Sequence, residues 1–197
     1  RFKVLVADDS VALLALYGQM LEQLGCDPIL CSNGNEAWAV LRQHSDFDLI
    51  MTDMEMPEMD GHEFTHLVRS CSTYDQVPLI VVTQHDQEDL LCELLSDGAS
   101  DYITKPFSHE ELRARIGSHL RTRYLYKEQQ RLNRELSEVN SYLEDRVRER
   151  TQELYEANIE TIKKLALVCD YKDLDTGNHI NRVKEYCEEL GKAIGLS

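Results

Sequence analysis

The chain has 197 residues, 42% of them hydrophobic, and its 36 Asp and Glu residues outnumber 21 Lys and Arg residues to give a net charge of −15. An acidic chain of this kind repels nucleic acid backbones, so we expect no nucleic acid partner. It has neither an apolar run of about 18 residues nor a signal-peptide pattern, so we expect a cytoplasmic protein that does not enter a membrane.

Short apolar runs alternate with helical patterns from Phe2 to about Leu120. The runs are rich in Val and Ile and nearly continuous, which is typical of strands in a parallel sheet with helices on both faces. In chain order, the predicted strands are FKVLVA, PILCS, FDLIMT, VPLIVVT and SDYIT. We therefore expect an α/β fold with a five-stranded, doubly wound parallel sheet whose carboxyl ends meet at one edge.

A long helix with a coiled-coil pattern follows these units, and no Gly or Pro occurs from Leu120 through Asp175. Its apolar residues recur three and four positions apart at Leu125, Leu132, Leu136, Val139 and Leu143. A stripe this narrow predicts a homodimer through a parallel coiled coil, with a stutter at the step from Leu143 to Val147. The alternative is a helix that lies on its own domain.

The six cysteines include no CxxC pair and lie mostly in apolar stretches. This pattern argues against a disulfide framework or a structural zinc site. We expect reduced thiols that are buried in the core.

Three aspartates are predicted to converge at one edge of the sheet. Asp8 and Asp9 follow the first strand and Asp53 ends the third. One aspartate would suffice as a helix cap, and three carboxylates together are destabilising without a cation. Because Mg²⁺ prefers oxygen ligands, we expect Asp9 and Asp53 as direct ligands and Asp8 as a direct or water-mediated one. The backbone carbonyl of Glu55 is a further candidate ligand.

Two more polar residues end neighbouring strands. Thr83 ends the fourth, and Lys105 follows the fifth just before Pro106. Together with Mg²⁺, this hydroxyl and this ammonium would meet an anionic group on Asp53, a set that suits phosphoryl transfer. Asp53 would then be the nucleophile and would form an acyl phosphate. Taken singly, Thr83 is an ordinary strand residue and Lys105 an ordinary surface charge.

The stretches VADDS, DMEMPEMDG, LIVVT and GASDYITKPF closely resemble the receiver domain of two-component response regulators over about residues 2–120. The resemblance implies a flavodoxin-like fold. It also implies that Asp53 is phosphorylated by a histidine kinase or a phosphotransfer protein, and that Asp8 and Asp9 organise Mg²⁺.

The same resemblance assigns three further roles. Lys105 would grip the phosphoryl group, and Thr83 would move onto it. Tyr102 matches the switch aromatic that packs inward when Thr83 shifts. Gln84 stands where the family usually has a small residue, which leaves the lifetime of the phosphoryl group open.

The tail resembles the opening of an HD-GYP phosphohydrolase domain, a family that hydrolyses cyclic di-GMP. The matching residues are Asp175, Thr176, Gly177, His179, Arg182 and Val183. The resemblance implies that Asp175 and His179 supply early ligands of a two- or three-metal site, of iron or manganese, in a complete output domain. The alternatives are that Asp175 is a simple helix cap and that His179 is an exposed histidine. Because the His-Asp pair and the GYP segment are missing, we expect no phosphodiesterase activity from residues 1–197.

We therefore interpret residues 1–120 as a receiver domain, 121–165 as a coiled-coil signalling helix, and 166–197 as the N-terminal fragment of an HD-GYP-like output domain. The chain begins at Arg1 rather than Met and ends at Ser197, so we expect a piece of a longer protein. Phosphorylation would be relayed through the dimeric helix to the phosphodiesterase. The alternative is a non-enzymatic, phospho-switched scaffold or dimerisation module that regulates a partner protein. A transcription factor is disfavoured because no basic recognition helix is present.

Overall fold

The computed structural model describes the backbone of residues 1–84, 88–172 and 179–193. In chain order, the strands are β1 (Lys3–Ala7), β2 (Asp27–Cys31), β3 (Leu49–Asp53), β4 (Leu79–Thr83) and β5 (Asp101–Thr104). The helices are α1 (Val11–Gln23), α2 (Gly34–Gln43), α3 (Gly61–Ser70), α4 (Glu88–Ser96), α5 (His109–Lys172) and α6 (His179–Ala193).

All five strands pair in parallel, in the order β2-β1-β3-β4-β5. The chain passes from β1 to β2 on one side and returns to place β3 on the other side of β1. The direction of winding therefore reverses between β1 and β3, where doubly wound sheets bind their ligands. The predicted five-stranded, doubly wound fold is confirmed.

Two apolar cores cover the opposite faces of the sheet. Consecutive strand residues divide between them, since Val81 packs in one core and Val82 in the other. The first core receives side chains from α2, α3 and α4, including Leu41, Phe64 and Leu94. The second receives side chains from α1 and α5, including Tyr17, Leu21, Leu112 and Ile116. Helices on both faces explain why β3 and β4, which are buried at every residue, are apolar without alternation.

The first three helices begin at residues whose side chains cap them. The caps are Ser10, Asn33 and Asp60, and each side chain accepts a hydrogen bond from the backbone N–H three residues later. Such a cap contributes about 1 kcal/mol because it satisfies a donor that the helix itself leaves unpaired. These caps fix the residue at which each helix begins, at the edge of the sheet that carries the aspartates.

The beginning of α5 is held to the sheet through Asp101 of β5. Nη1 of Arg115 donates a hydrogen bond to Asp101 Oδ1 at 2.9 Å, and Nε2 of His119 lies 3.1 Å from Oδ2. Desolvation raises the pKa of Asp101, but the hydrogen bonds from His119, Arg115 and the backbone outweigh it, so the pKa is lowered. The helix is thus tied to the strand that leads directly into Lys105.

The chain divides into two compact units, Arg1–Leu132 and Asn133–Ser197. In the first, Lys127 of α5 still forms an ion pair with Asp48. In the second, α5 carries more than half-exposed apolar side chains, which include Leu136, Val139, Leu143, Val147 and Leu154. The long helix is confirmed, whereas its pairing with a second copy and the domain boundaries at 120 and 165 stay predictions.

Several local predictions are corrected or left open. The helix expected after the fifth strand and the long helix are one continuous helix, α5. Residues 173–178, which include Asp175 and Gly177 of the tail motif, lie outside the described residues. The prediction of buried thiols is right for Cys26 and Cys31 and wrong for Cys92 and Cys187, because these two positions lie on exposed sides of their helices. Among the described residues, no helix combines the length and the apolar composition that a membrane span requires.

Gly61 begins α3 where a side chain would collide with the loop after β3. A Cβ atom at this position would lie 2.3 Å from the carbonyl oxygen of Asp53. We expect Gly61→Ala to lower the free energy of unfolding by about 1–3 kcal/mol, because the backbone must shift to relieve the overlap. Urea denaturation measures this change.

Gly117→Ala is the matched control, since a Cβ atom at Gly117 of α5 would meet nothing within 4 Å. Alanine is the better helix former, so this variant should be more stable by about 0.5–1 kcal/mol. Equal effects of the two substitutions would contradict the steric explanation.

Candidate functional site

The two aspartates that follow β1 differ in exposure, since Asp8 is buried and Asp9 is exposed. The N-cap of α1 is Ser10, whose hydroxyl accepts a hydrogen bond from the N–H of Leu13 at 3.4 Å. The N–H of Ser10 in turn donates to Oδ1 of Asp8 at 2.8 Å. Ser10 therefore takes the capping role that the sequence also permitted for an aspartate.

Asp53 is the last residue of β3, and its side chain is 5% exposed. The loop after it is fixed on two sides by backbone hydrogen bonds. The N–H of Met54 donates to the carbonyl of Val82 at 2.7 Å, and the N–H of Gly61 donates to the carbonyl of Met54 at 2.9 Å. The carboxylate thus has a position that is set by β4 and α3 as well as by its own strand.

Lys105 brings a positive charge to both buried carboxylates. Its Nζ lies 2.9 Å from Oδ1 of Asp53 and 3.5 Å from Oδ2 of Asp8. Its backbone N–H donates to the carbonyl of Thr83 at 2.7 Å, which holds the end of β5 against the end of β4. The structure therefore brings together Asp8, Asp53 and Lys105 from the ends of β1, β3 and β5.

Burial sets the electrostatics of this site. Desolvation raises the pKa of Asp8 and of Asp53, and the ammonium of Lys105 opposes the rise in both. Desolvation, with a contribution from these two carboxylates, also raises the pKa of Tyr17, so the phenol stays neutral. The hydroxyl of Tyr17 is buried without a hydrogen-bond partner, and its ring stacks on Phe107 at a centroid distance of 6.1 Å.

The three aspartates fit a divalent cation. One carboxylate oxygen from each of Asp8, Asp9 and Asp53 lies within 4.8 Å of the other two. Oδ2 of Asp8 is buried and accepts no hydrogen bond, although Nζ of Lys105 lies 3.5 Å from it. A hard cation such as Mg²⁺ would satisfy this oxygen and neutralise the repulsion between the carboxylates.

Glu55 and Gln84 border the site. Glu55 is exposed, and its carboxylate accepts a hydrogen bond from Nε2 of Gln84 at 3.3 Å. The bond links the loop after β3 to the residue after β4. The backbone carbonyl of Glu55 stays a predicted metal ligand.

The two predicted switch residues lie on the same face of the sheet. Thr83 is buried at the end of β4, and Tyr102 of β5 pairs with Val81, two residues earlier. Since residues two apart on a strand share a face, Thr83 and Tyr102 are diagonal neighbours. Tyr102 is half-buried and packs against the core that includes Leu94 of α4.

The predicted tail ligands are not brought to this site by any described contact. Asp175 lies outside the described residues, and of His179 only the backbone, at the start of α6, is described. Tyr17 is not among the site residues predicted from the sequence, because it resembles one more apolar position of α1. The single available signal was a hydroxyl within an otherwise apolar helix face.

Comparison with known proteins places residues 4–117 within the family model of the response regulator receiver domain. The chemotaxis protein CheY homolog of Campylobacter jejuni is 35% identical over 115 residues, which cover 58% of this chain and 88% of that protein. The structure of the chemotaxis response regulator CheY4 of Vibrio cholerae matches with a TM-score of 0.57 and 30% identity, over 60% of this chain and 98% of that one. These matches cover the part of the chain that forms the sheet and the site.

One relative extends beyond the sheet. The probable cyclic di-GMP phosphodiesterase of Vibrio cholerae is 31% identical over 197 residues, which include 98% of this chain. The chain spans 42% of that protein. The similarity therefore includes α5 and the tail as well as the site.

The raised pKa of Asp8 predicts a stability change whose sign depends on Mg²⁺. A carboxyl group with a higher pKa in the folded state than in the unfolded state destabilises the fold once it is ionised. At pH 7 without divalent cations, we expect Asp8→Asn to raise the free energy of unfolding, because the neutral amide has a smaller desolvation cost than the carboxylate. With saturating Mg²⁺ the wild type should become the more stable protein, because it binds the ion more tightly.

Urea denaturation in EDTA and in MgCl₂ measures the change in the free energy of unfolding under each condition. Asp27→Asn, at an exposed position on β2, is the control and should change neither value appreciably. A destabilised Asp8→Asn variant in EDTA would contradict the electrostatic interpretation of the site.

Proposed function

Because the chain belongs to the response regulator receiver domain family, whose members accept phosphoryl groups from histidine kinases, we propose that Asp53 is the phosphoacceptor of this protein. The observation that carries the proposal is the contact of 2.9 Å between Lys105 Nζ and Asp53 Oδ1, beside the carboxylates of Asp8 and Asp9. The phosphoryl donor would be the phosphohistidine of a histidine kinase or a phosphotransfer protein.

In the proposed reaction, a carboxylate oxygen of Asp53 attacks the phosphorus atom. The new O–P bond forms as the P–N bond of the phosphohistidine breaks, and the electron pair of that bond leaves with the imidazole nitrogen. Lys105, whose Nζ lies 2.9 Å from Oδ1 of Asp53, would meet the negative charge on the phosphoryl oxygens. Mg²⁺, held by Asp8, Asp9 and Asp53, would supply further charge neutralisation.

The product is an acyl phosphate whose phosphoryl group carries about 1.5 to 2 negative charges. This charge replaces the single charge of the Asp53 carboxylate at the buried edge. A hydroxyl at Thr83 is suited to donate a hydrogen bond to the new oxygens. Because Thr83 and Tyr102 are diagonal neighbours on one face, a shift of Thr83 changes the space that is open to Tyr102. We propose that this pair converts phosphorylation into a different population of arrangements near α4 and β5.

The output of the switch is proposed to pass through α5. This helix begins four residues after Lys105 and carries the exposed apolar stripe of the predicted coiled coil. Phosphorylation would then alter the pairing or rotation of two α5 helices in a homodimer.

We further propose that residues 166–197 begin an HD-GYP-type output domain. Support comes from the sequence resemblance of the tail and from the relative named a probable cyclic di-GMP phosphodiesterase, whose similarity covers 98% of this chain. Asp175 and His179 would be early ligands of its iron or manganese site. The second candidate is a phospho-switched scaffold. The two differ in whether the protein that contains this chain hydrolyses cyclic di-GMP.

Phosphoryl transfer is tested with a small phosphodonor. We expect phosphoramidate and Mg²⁺ to add the mass of one phosphoryl group to the chain, and EDTA to prevent the addition. Asp53→Asn should remain unmodified because an amide cannot form the acyl phosphate, whereas Asp27→Asn should react like the wild type. Intact-mass spectrometry gives the result, and a phosphorylated Asp53→Asn would refute the assignment.

The dimer is tested by light scattering. We expect the wild type to have twice the chain mass of 22.8 kDa. The double variant Leu136→Lys and Leu143→Lys should be monomeric, since it places charges in the apolar seam. Ser141→Lys, on the opposite side of the helix, should remain dimeric. A wild-type mass equal to one chain would exclude the coiled coil.

A further inference from the structure

A second group of metal-binding side chains lies away from the aspartate site. His62 and His66 are four residues apart on α3 and therefore share one face of the helix. Asp97 follows the last residue of α4. One possible ligand atom from each of the three residues lies within 4.8 Å of the other two.

The distances between these atoms match a small coordination sphere. Nε2 of His62 lies 2.7 Å from Oδ2 of Asp97, and Nε2 of His66 lies 3.8 Å from Oδ1. In a tetrahedral zinc site with bonds of about 2.0 Å, two ligand atoms are separated by about 3.3 Å. The two observed distances lie on either side of that value, so small side-chain rotations would admit an ion.

The turn that carries Asp97 is held against α3 by Arg69. Nε of Arg69 donates to the carbonyl of Gly98 at 2.7 Å, and its two terminal nitrogens donate to the carbonyls of Tyr74 and Val77 at 2.7 and 3.0 Å. Gly98 has a φ of +101°, which allows the turn to follow α4 directly. The carboxylate therefore lies opposite the histidines because of a backbone that is fixed independently of them.

We propose that His62, His66 and Asp97 bind a first-row transition-metal ion, with Zn²⁺ as the representative ion. Two imidazoles and one carboxylate form a set that suits Zn²⁺ and disfavours Mg²⁺, which prefers oxygen ligands. A simple ion pair explains His62 and Asp97 but gives no reason for a second imidazole on the same carboxylate. A proton on Nε2 of His62 would pass to Nδ1 of the same ring or, from a protonated imidazole, to solvent as the ion binds Nε2, and water would complete the coordination.

The site is open to solvent, because the side chains of His62 and His66 are 37% and 55% exposed. An ion can therefore enter without opening the core. Once bound, it would connect the first two turns of α3 to the residue that follows α4. It would also stabilise the folded chain, and this stabilisation would grow with the logarithm of the zinc concentration once that concentration exceeds the dissociation constant.

The test is a Zn²⁺ titration of the 197-residue chain with Mg²⁺ in excess at the aspartate site. Long-range ¹H–¹⁵N spectra of the histidine rings report each imidazole separately. We expect the Nε2 signals of His62 and His66 to shift together and that of His119 to stay in place. Unchanged signals from His62 and His66 would overturn the proposal.

Matched variants separate this site from the thiols and the tail, which remain intact in all of them. His66→Gln removes a direct ligand, which should cost at least the roughly tenfold loss of affinity that follows removal of an outer-shell partner. The zinc concentration that half-saturates the shift of the His62 signal should rise accordingly. His119→Gln removes the other histidine that contacts an aspartate, Asp101, and should leave this affinity unchanged. Equal affinities in the two variants would contradict the proposed ligand set. Thermal unfolding without zinc verifies that both variants are folded.

Discussion

The contact of one lysine with two buried aspartates is the constraint on which the rest of the structure depends. Burial of two carboxylates side by side is unfavourable unless a counter-charge reaches both of them. Lys105 provides that charge to Asp8 and Asp53. The three residues lie at the ends of three different strands. The site can therefore form only when β1, β3 and β5 are in their places, so the folding of the sheet and the chemistry at its edge are inseparable.

Sequence patterns predicted the sheet because a doubly covered parallel strand must be apolar on both faces. The run VPLIVVT satisfies this condition, since its neighbours Val81 and Val82 pack in opposite cores. The convergence of Asp8 and Asp53 was predictable too, because the winding rule brings their strands together at the switch point. These features follow from local patterns and from one topological rule.

Other features depend on packing that no local pattern encodes. Tyr17 looks like an apolar residue of α1, and the surroundings of its hydroxyl depend on how that helix lies on the sheet. Both aspartate and serine are common helix caps, so the sequence alone does not say whether Asp8, Asp9 or Ser10 caps α1. The backbone geometry of the folded chain decides between them. His62 and Asp97 are 35 residues apart, and their contact exists because α3 and the turn after α4 pack together.

The strand β5 has four residues and lies at the edge of the sheet, with β4 as its neighbour. Its pairing ends at Thr83 and Thr104, immediately before Lys105. Adjacent side chains of a strand point to opposite faces, so sliding β5 by a single residue would turn the ammonium away from both aspartates. The contact of Lys105 with the two aspartates therefore favours the observed register of β5 over a shifted one. If Asp53 is phosphorylated as proposed, a contact between the phosphoryl group and Lys105 would act on the edge strand β5 and, through Asp101, on the beginning of α5.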